Sequence, residues 1–400
     1  MIGQECREVH RRAPRLRTTL VVLIGAVIAA ACGGGVGAGS SNVAAGAIVA
    51  SAQYAAIKGP WLAWDKSTCR FKTAATHPSS YTAEVRKLST PQTYVFTPYT
   101  TTAPAAALID ASVATYAGKA GAKVIQISND YPSTSQPLVA ASEAVNIKPS
   151  AVISAAINKG VYAQIQPQYE RACIPFASMF NIPTPHPVPG FQSSFQVEGK
   201  TMADAAIKII NQRKWPADQI WILSCGEPLV APGPGTLLDV GTTFRDTVSA
   251  AFNIPASRMS PFLGCNDNGQ GALDARTASL NWLTAHPEAK YVVGSFWVDA
   301  IALGMSQALA QKGFGDRALV AGGDASDPVL KVMADGDPIF QIDADKNFIK
   351  WGIFSVSLAE DIAAGKPVPS YMDPGTVAVT PDNVKQVIAD RAAFLTAQNG

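Results

Sequence analysis

Residues 291–296 read Tyr-Val-Val-Gly-Ser-Phe, and Trp297-Val298-Asp299 follow directly. A short apolar run bounded by polar residues predicts a strand buried on both faces. Residues 300–312 then carry apolar side chains at helical spacing. The pattern repeats twice more. A strand is predicted over 318–322, ending at Asp324, with a helix over 328–334. Another is predicted over 339–343, running into Asp345-Lys346, with a helix starting near Asn347. Each strand ends in polar residues just before a helix, which is where open α/β sheets bind ligands.

The same alternation continues outward on both sides. Strands are predicted at 93–97, 123–128, 151–154 and 175–179, with helices over 104–120, 138–144 and 161–171. Helix 104–120 places Ala106, Leu108, Ile109, Val113 and Tyr116 at helical spacing. The stretch 181–190 is Pro-rich, cannot be a helix, and reads as a connection between two lobes. Beyond it, helices over 197–213, 236–252 and 273–286 alternate with strands at 220–224 and 261–264. The chain closes with a helix over 347–365, a turn at Pro367-Val368-Pro369, a strand at 376–379 and a helix over 381–398. Thr380 suits the N-cap of that last helix, and Pro381 its first position. Alternating βα units imply parallel sheets with right-handed crossovers, so the fold class is α/β.

The 400 residues are 48% hydrophobic and 16% charged, with a formal net charge of +2, which argues against nucleic acid as a partner. Much of the basic charge lies in the first residues, where Arg7, Arg11, Arg12, Arg15 and Arg17 precede the apolar run 20–31. That run is too short to span a bilayer comfortably and reads as a secretory signal over 1–31. Ala29-Ala30-Ala31-Cys32 resembles a bacterial lipobox, with Ala29 standing where Leu is usual. Lipidation of Cys32, with a Gly/Ser/Ala tether through Ser41, would anchor an exported chain to the outer face of the cell membrane. The plainer alternative is an ordinary cleaved signal.

Four cysteines remain: Cys69, Cys173, Cys225 and Cys265. An even number in an exported chain suggests two disulfides, against the alternative of buried free thiols. Cys225 and Cys265 end two predicted neighbouring strands, which favours Cys225–Cys265 and leaves Cys69–Cys173. The spacing does not suit zinc. In the N-terminal extension, Ala-rich 43–57 is expected to be helical and broken at Gly59-Pro60. Trp61 and Trp64 are expected to pack the extension onto its domain rather than to cover a cleft.

Three motifs carry a resemblance. They are Asp299-Ala300-Ile301-Ala302-Leu303-Gly304, Val320-Ala321-Gly322-Gly323-Asp324-Ala325 and Gly365-Lys366-Pro367-Val368-Pro369. Together they resemble motifs of periplasmic binding proteins of the first type, the ribose/galactose-binding class of ABC-transporter receptors, over roughly residues 93–398. The resemblance implies two parallel βα sheets joined by a three-segment hinge. It implies an N-lobe of 92–182 plus 347–366 and a C-lobe of 183–346 plus 367–400, after a tether and extension over 32–91. The crossings would fall near 181–195, 343–347 and 366–372, and closure about them would bury a small ligand. It further implies a monomer without cofactor, metal or catalysis, working with a membrane permease.

The departures from that class concern its sugar grip. Phe180-Asn181 stands for Asp-Arg, Val298 for Asn, Ala103-Pro104-Ala105-Ala106 for Asn-Pro-Phe-Phe, and Lys346 for Gln. Asp324 remains. A buried hydroxyl left without a partner costs about 1–3 kcal/mol, so a simple pentose or hexose is disfavoured. The expected ligand edge comprises Tyr99, Thr100, Asn129, Asp130, Phe180, Asn181, Glu227, Asp267, Trp297, Asp299, Asp324 and Lys346. It suits a sugar-like or heterocyclic compound with a polar or cationic edge. Plainer roles compete: hinge packing for Trp297, an N-cap for Asp299, a turn for Asp267, and pairing of Lys346 with Asp343 or Asp345. His77, His186 and His286 show no ligand spacing, and no hydrolase, P-loop or metalloprotease motif is present. A ligand-sensing lipoprotein and a carbohydrate-active enzyme are the alternatives.

Overall fold

The computed structural model describes residues 44–131, 133–157, 160–180, 184–226, 238–265 and 271–399. Expectations for the leader, for Cys32, and for Asn181, Glu227 and Asp267 lie outside the described residues. Strand Ile220–Gly226 is buried at all seven positions, and Ala318–Gly322 at all five. Such strands form because both faces are covered by helices, as their unbroken apolar sequence requires.

Two large sheets result. The second sheet runs Met259–Gly264, Ile220–Gly226, Tyr291–Ser295, Ala318–Gly322, Phe340–Asp345 and Val377–Val379, parallel except for the last. The first has eight strands, of which Lys123–Gln126, Thr93–Thr97, Ala151–Ser154, Phe176–Ser178, Gly190–Phe191 and Val368–Asp373 lie parallel. Each sheet with its helices encloses its own apolar core. We call these the first and second lobes.

Two expectations about sheet membership fail. Gly190–Phe191 and Val368–Asp373 belong to the first sheet, although 183–346 and 367–400 were assigned to the second lobe. The described part of the Pro-rich segment, 184–190, ends in the first sheet. There Gly190 pairs with Ser178. The crossings therefore pass through 192–194, 345–347 and 374–376.

The extension corrects a third expectation. Residues 43–57 hold no helix among the described residues; Ile48–Ala52 is a strand, antiparallel to Ala83–Arg86. Gly59 and Pro60 lie inside strand Ala56–Asp65, which pairs with Val368–Asp373 on one side and Arg70–Thr73 on the other. Alanine's helix preference is a few tenths of a kcal/mol per residue, and ladder pairing with the lobe overrides it. Trp61 stacks on His77 at 4.7 Å and Trp64 meets Phe71 edge-on at 5.0 Å, both within the extension, and Trp64 also belongs to the first lobe's apolar core. Cys69 bonds Cys173, with Cα atoms 4.7 Å apart, tying the extension's hairpin to the first lobe. Cys225 bonds Cys265, with Cα atoms 5.6 Å apart, at the ends of two second-lobe strands.

Helix Phe348–Ala363 is buried almost all round, between helix Pro104–Ala120 and the small sheet of the extension. A side chain at Gly352 would run into the Ser112 backbone, and this closeness lets Ser112 Oγ donate to the Ile349 carbonyl at 2.7 Å. The last helix, Val384–Asn399, touches both lobes. Its Arg391 is buried against Asp345 of the second crossing at 3.4 Å, while Phe394 lies 5.9 Å from Tyr116 of the first lobe.

Candidate ligand site

Because the strands of each lobe run parallel, their C-terminal ends form one edge, and the expected site residues follow those ends. On the second lobe, Asp343 is fully buried. Its Oδ1 accepts from the backbone N–H of Asp324, Ala325 and Ala344, at 3.1, 3.0 and 2.7 Å. This fixes the turn that carries Asp324, where Ala325 sits at φ 49°. Asp299 is likewise buried, and its Oδ2 accepts from Ser326 N–H at 2.6 Å. It therefore braces the same turn from the other side and does not cap its own helix, Asp299–Gln311.

The remaining oxygens of these two carboxyls meet over Gly322. A Cβ there would lie 2.8 Å from Asp299 Oδ1 and 3.3 Å from Asp343 Oδ2. Burial, then the neighbouring Asp343, raises the Asp299 carboxyl well above its ordinary range, and burial pushes Asp343 up to about 6. Two buried carboxyls so placed oppose each other's ionisation.

Lys346 lies on the second crossing, with its side chain 10% exposed. Its Nζ lies 3.1 Å from Glu198 Oε1 and 3.2 Å from Asp324 Oδ1. It also donates to the carbonyls of Gly323 at 3.2 Å and Trp297 at 3.4 Å. Neither Asp343 nor Asp345 is its partner in these contacts. Glu198, on helix Phe195–Arg213, is fully buried. Desolvation pushes its carboxyl up to about 7, and the nearby Lys346 ammonium opposes the rise. Burial alone would lower the Lys346 pKa, but Glu198 and Asp324 outweigh it and hold the ammonium charged.

Trp297 is buried, stacked on Phe296 at 4.0 Å, and only its carbonyl reaches the charge cluster. Asp324 is the member that opens outward, with its side chain 16% exposed.

Among the described residues, the buried polar groups of the first-lobe edge are neutral, and aromatic rings flank them. Asn129 is buried and donates to the Thr97 carbonyl at 2.8 Å, holding the end of strand Thr93–Thr97. Thr100 is buried and its Oγ1 lies 3.0 Å from Thr102 Oγ1. Asp130 is exposed at φ 51°. Tyr99 and Phe180 are half-buried and meet edge-on at 5.8 Å. Phe180 lies 5.9 Å from Trp351, Trp351 4.9 Å from Phe348, and Lys346 Nζ 5.8 Å above Phe348. Trp351 Nε1 also donates to the Lys346 carbonyl at 2.8 Å. A continuous run of rings thus joins the two edges at the crossing. Among the described residues no cluster of His, Cys, Asp or Glu is arranged to hold a metal.

Sequence reasoning overlooked Glu198. A carboxylate in the first turn of a helix is ordinarily explained by the helix dipole. The available signal was its neighbour Gly199, where a Cβ would strike the Val240 carbonyl. A glycine pressed against a second helix marks that face as buried, and Glu198 lies beside it.

No family model matches the chain, and no curated relative is found by sequence. Solved structures are similar. An arabinose ABC-transporter binding protein of Shewanella sp. ANA-3, bound to L-arabinofuranose, aligns with a TM-score of 0.64 at 16% identity, over 77% of this chain and 98% of its own. An ABC-transporter solute-binding protein of Mycobacterium smegmatis with bound glycerol aligns at 0.59 and 20% identity, over 74% and 96%. One from Bacillus halodurans with bound myo-inositol aligns at 0.58 and 18% identity, over 74% and 97%. Nearly all of each neighbour is matched, while about a quarter of this chain has no counterpart in it. The chain has the two-lobed α/β fold of the type I periplasmic binding proteins.

Proposed function

We propose that the protein is an exported solute-binding receptor of an ABC importer, anchored through Cys32. It captures one small polar ligand between its lobes, as a monomer, and presents it to a membrane permease. Tyr99 and Phe180 supply the first-lobe contacts, and Asp324, backed by Lys346, the second. Asn129, Thr100, Asp299 and Trp297 hold these groups in place. The observation that carries the reading is the Glu198–Lys346–Asp324 cluster. It sits where strand ends of the second lobe meet the crossing into the first. The fold supports it, since the neighbours with glycerol, myo-inositol and arabinofuranose are solute-binding proteins. Thermal-shift screening of the mature chain against sugars, polyols, nucleosides and amino acids tests it. At least one compound raises the melting temperature by several degrees; a folded protein that no compound stabilises contradicts the reading.

A further inference from the structure

The backbone passes between the lobes at 192–194, 345–347 and 374–376. The first and third passages are stitched together. Ser193 Oγ donates to the Gly375 carbonyl at 3.0 Å, and the Asp373 carboxyl accepts from the N–H of Ser194 at 3.3 Å and of Gly375 at 2.8 Å. At the second, Asp345 Oδ1 accepts from the Asn347 N–H at 2.7 Å. Helix Val384–Asn399 follows the third passage and adds a link that is not covalent. Its start belongs to the second lobe: Val384 is buried in that lobe's core, and Val387 packs against it. Phe394 lies ten residues, or about 15 Å, further along, and packs against the core of the first lobe. One uninterrupted helix therefore reaches from one core to the other.

Both anchors are firmly held. Arg391, one turn before Phe394, is buried. Its Nη1 donates to the Ala325 carbonyl and lies 3.6 Å from Asp327, while its Nη2 lies 3.4 Å from Asp345. A buried guanidinium stays charged and is costly to strip of its partners, so this part of the helix moves with the second lobe. Tyr116 is buried on helix Pro104–Ala120 of the first lobe. That helix is pressed against Phe348–Ala363 where Gly352 meets Ser112. The rings of Phe394 and Tyr116, 5.9 Å apart, are thus carried by two different bodies. Packed side chains resist further compression, so a rotation of one lobe against the other is either blocked or parts these rings.

We propose that helix Val384–Asn399 is a strap that holds the two lobes at a set angle, and that Phe394 fixes this angle by its contact with Tyr116. The inference goes beyond the receptor reading, because it concerns the chain before any ligand arrives. Lobes held near one arrangement in advance lower the ordering cost of capture. Phe394 acts on the ligand edges only through the lobes that carry them, so it is a positioning residue.

The test reads the distance between the lobes directly, with no ligand added. Spin labels are placed on the mature chain at Glu143→Cys in the first lobe and Asp218→Cys in the second, both exposed positions, with Cys32→Ser so that no other thiol reacts. Double electron–electron resonance gives the distribution of label-to-label distances. With Phe394 intact the distribution has one dominant distance. Phe394→Ala raises the ratio of other distances to that one about fivefold or more, and Phe394→Leu raises it less. Ile388→Ala, at an exposed position on the same helix, leaves the distribution unchanged. Cooperative urea unfolding confirms that each variant is folded. Should Phe394→Ala fail to fold, a chain ending at Ala392 takes its place and broadens the distribution equally. Superimposable distributions with and without Phe394, a broad distribution already present when Phe394 is intact, or equal broadening by Ile388→Ala overturns the inference. None of these contradicts the receptor reading, which fails only if the ligand screen finds no compound.

Discussion

At the ends of the first sheet, Asn129 donates to Thr97, Thr97 Oγ1 to Ser154 Oγ at 3.2 Å, and Tyr162 to the Ser154 carbonyl at 3.0 Å. At the ends of the second sheet stand Glu198, Asp299, Asp324, Asp343 and Lys346. The two edges occupy equivalent places in equivalent lobes, so the fold does not require the charges. Neutral hydrogen bonds satisfy a buried strand end at little cost, as the first lobe demonstrates. Buried ion pairs bring desolvation penalties of several kcal/mol per ion, and apolar replacements of whole pairs are often neutral or stabilising. Buried charges kept, among the described residues, on one edge and not the other point to a role in recognition there.

The comparison is most severely tested at Lys346. Lys346→Met leaves Glu198 and Asp324 without their shared cation and costs about 3–5 kcal/mol in urea unfolding. A cost below about 1 kcal/mol would mean that water reaches these groups and that the two edges do not differ in the way described.

The disulfides come next, because they lie at opposite ends of their sheets. Replacing Cys69 and Cys173 with serine removes about 2–4 kcal/mol of stability but leaves ligand affinity unchanged, since that bond lies away from the ligand edge. Replacing Cys225 and Cys265 costs a similar amount and also weakens binding. Equal effects of the two pairs on affinity would separate the ligand from the strand ends.

The dependence on pH is smaller. Glu198 and Asp343 have carboxyls pushed up to about 7 and about 6, both by burial. Glu360, under the extension, is also pushed up to about 7 by burial. Their folded values exceed their unfolded ones, so the folded state keeps protons that the unfolded state has released. The stability this adds is complete below the unfolded values and lost as pH rises through the folded ones. The melting temperature therefore falls by a few degrees between about pH 5 and about pH 8. Glu198→Gln removes part of that slope, and a flat profile would show that the carboxyls are ordinary. The smallest effect is on the first-lobe edge, where Asn129→Ala costs about 1–2 kcal/mol with no change in pH dependence.

Much of the fold could be read from periodicity. Tyr291–Ser295 and Ala318–Gly322 are apolar without interruption because both faces are covered, and such runs have few other readings. The extension could not be read this way. Ile48–Ala52 becomes a strand only because Ala83–Arg86 lies beside it, and no local pattern encodes that partner. Likewise, the location of strand ends brings Asp324 and Lys346 to one edge, where they lie 3.2 Å apart. It did not reveal that Lys346 would bond to Glu198, 148 positions earlier and on a helix. Nor could it show that Trp297 turns inward onto Phe296, since a tryptophan at a strand end suits packing as well as stacking on a ligand.

The central claim is that Asp324 presents the second lobe's charge to a ligand held between the lobes. Calorimetric titration of the best compound from the thermal-shift screen, into wild type and Asp324→Asn in parallel, tests it most directly. The account predicts one ligand per chain for wild type and at least about a tenfold loss of affinity in a variant that still unfolds cooperatively. Equal affinity in the two proteins, with Asp324→Asn folded, would contradict it.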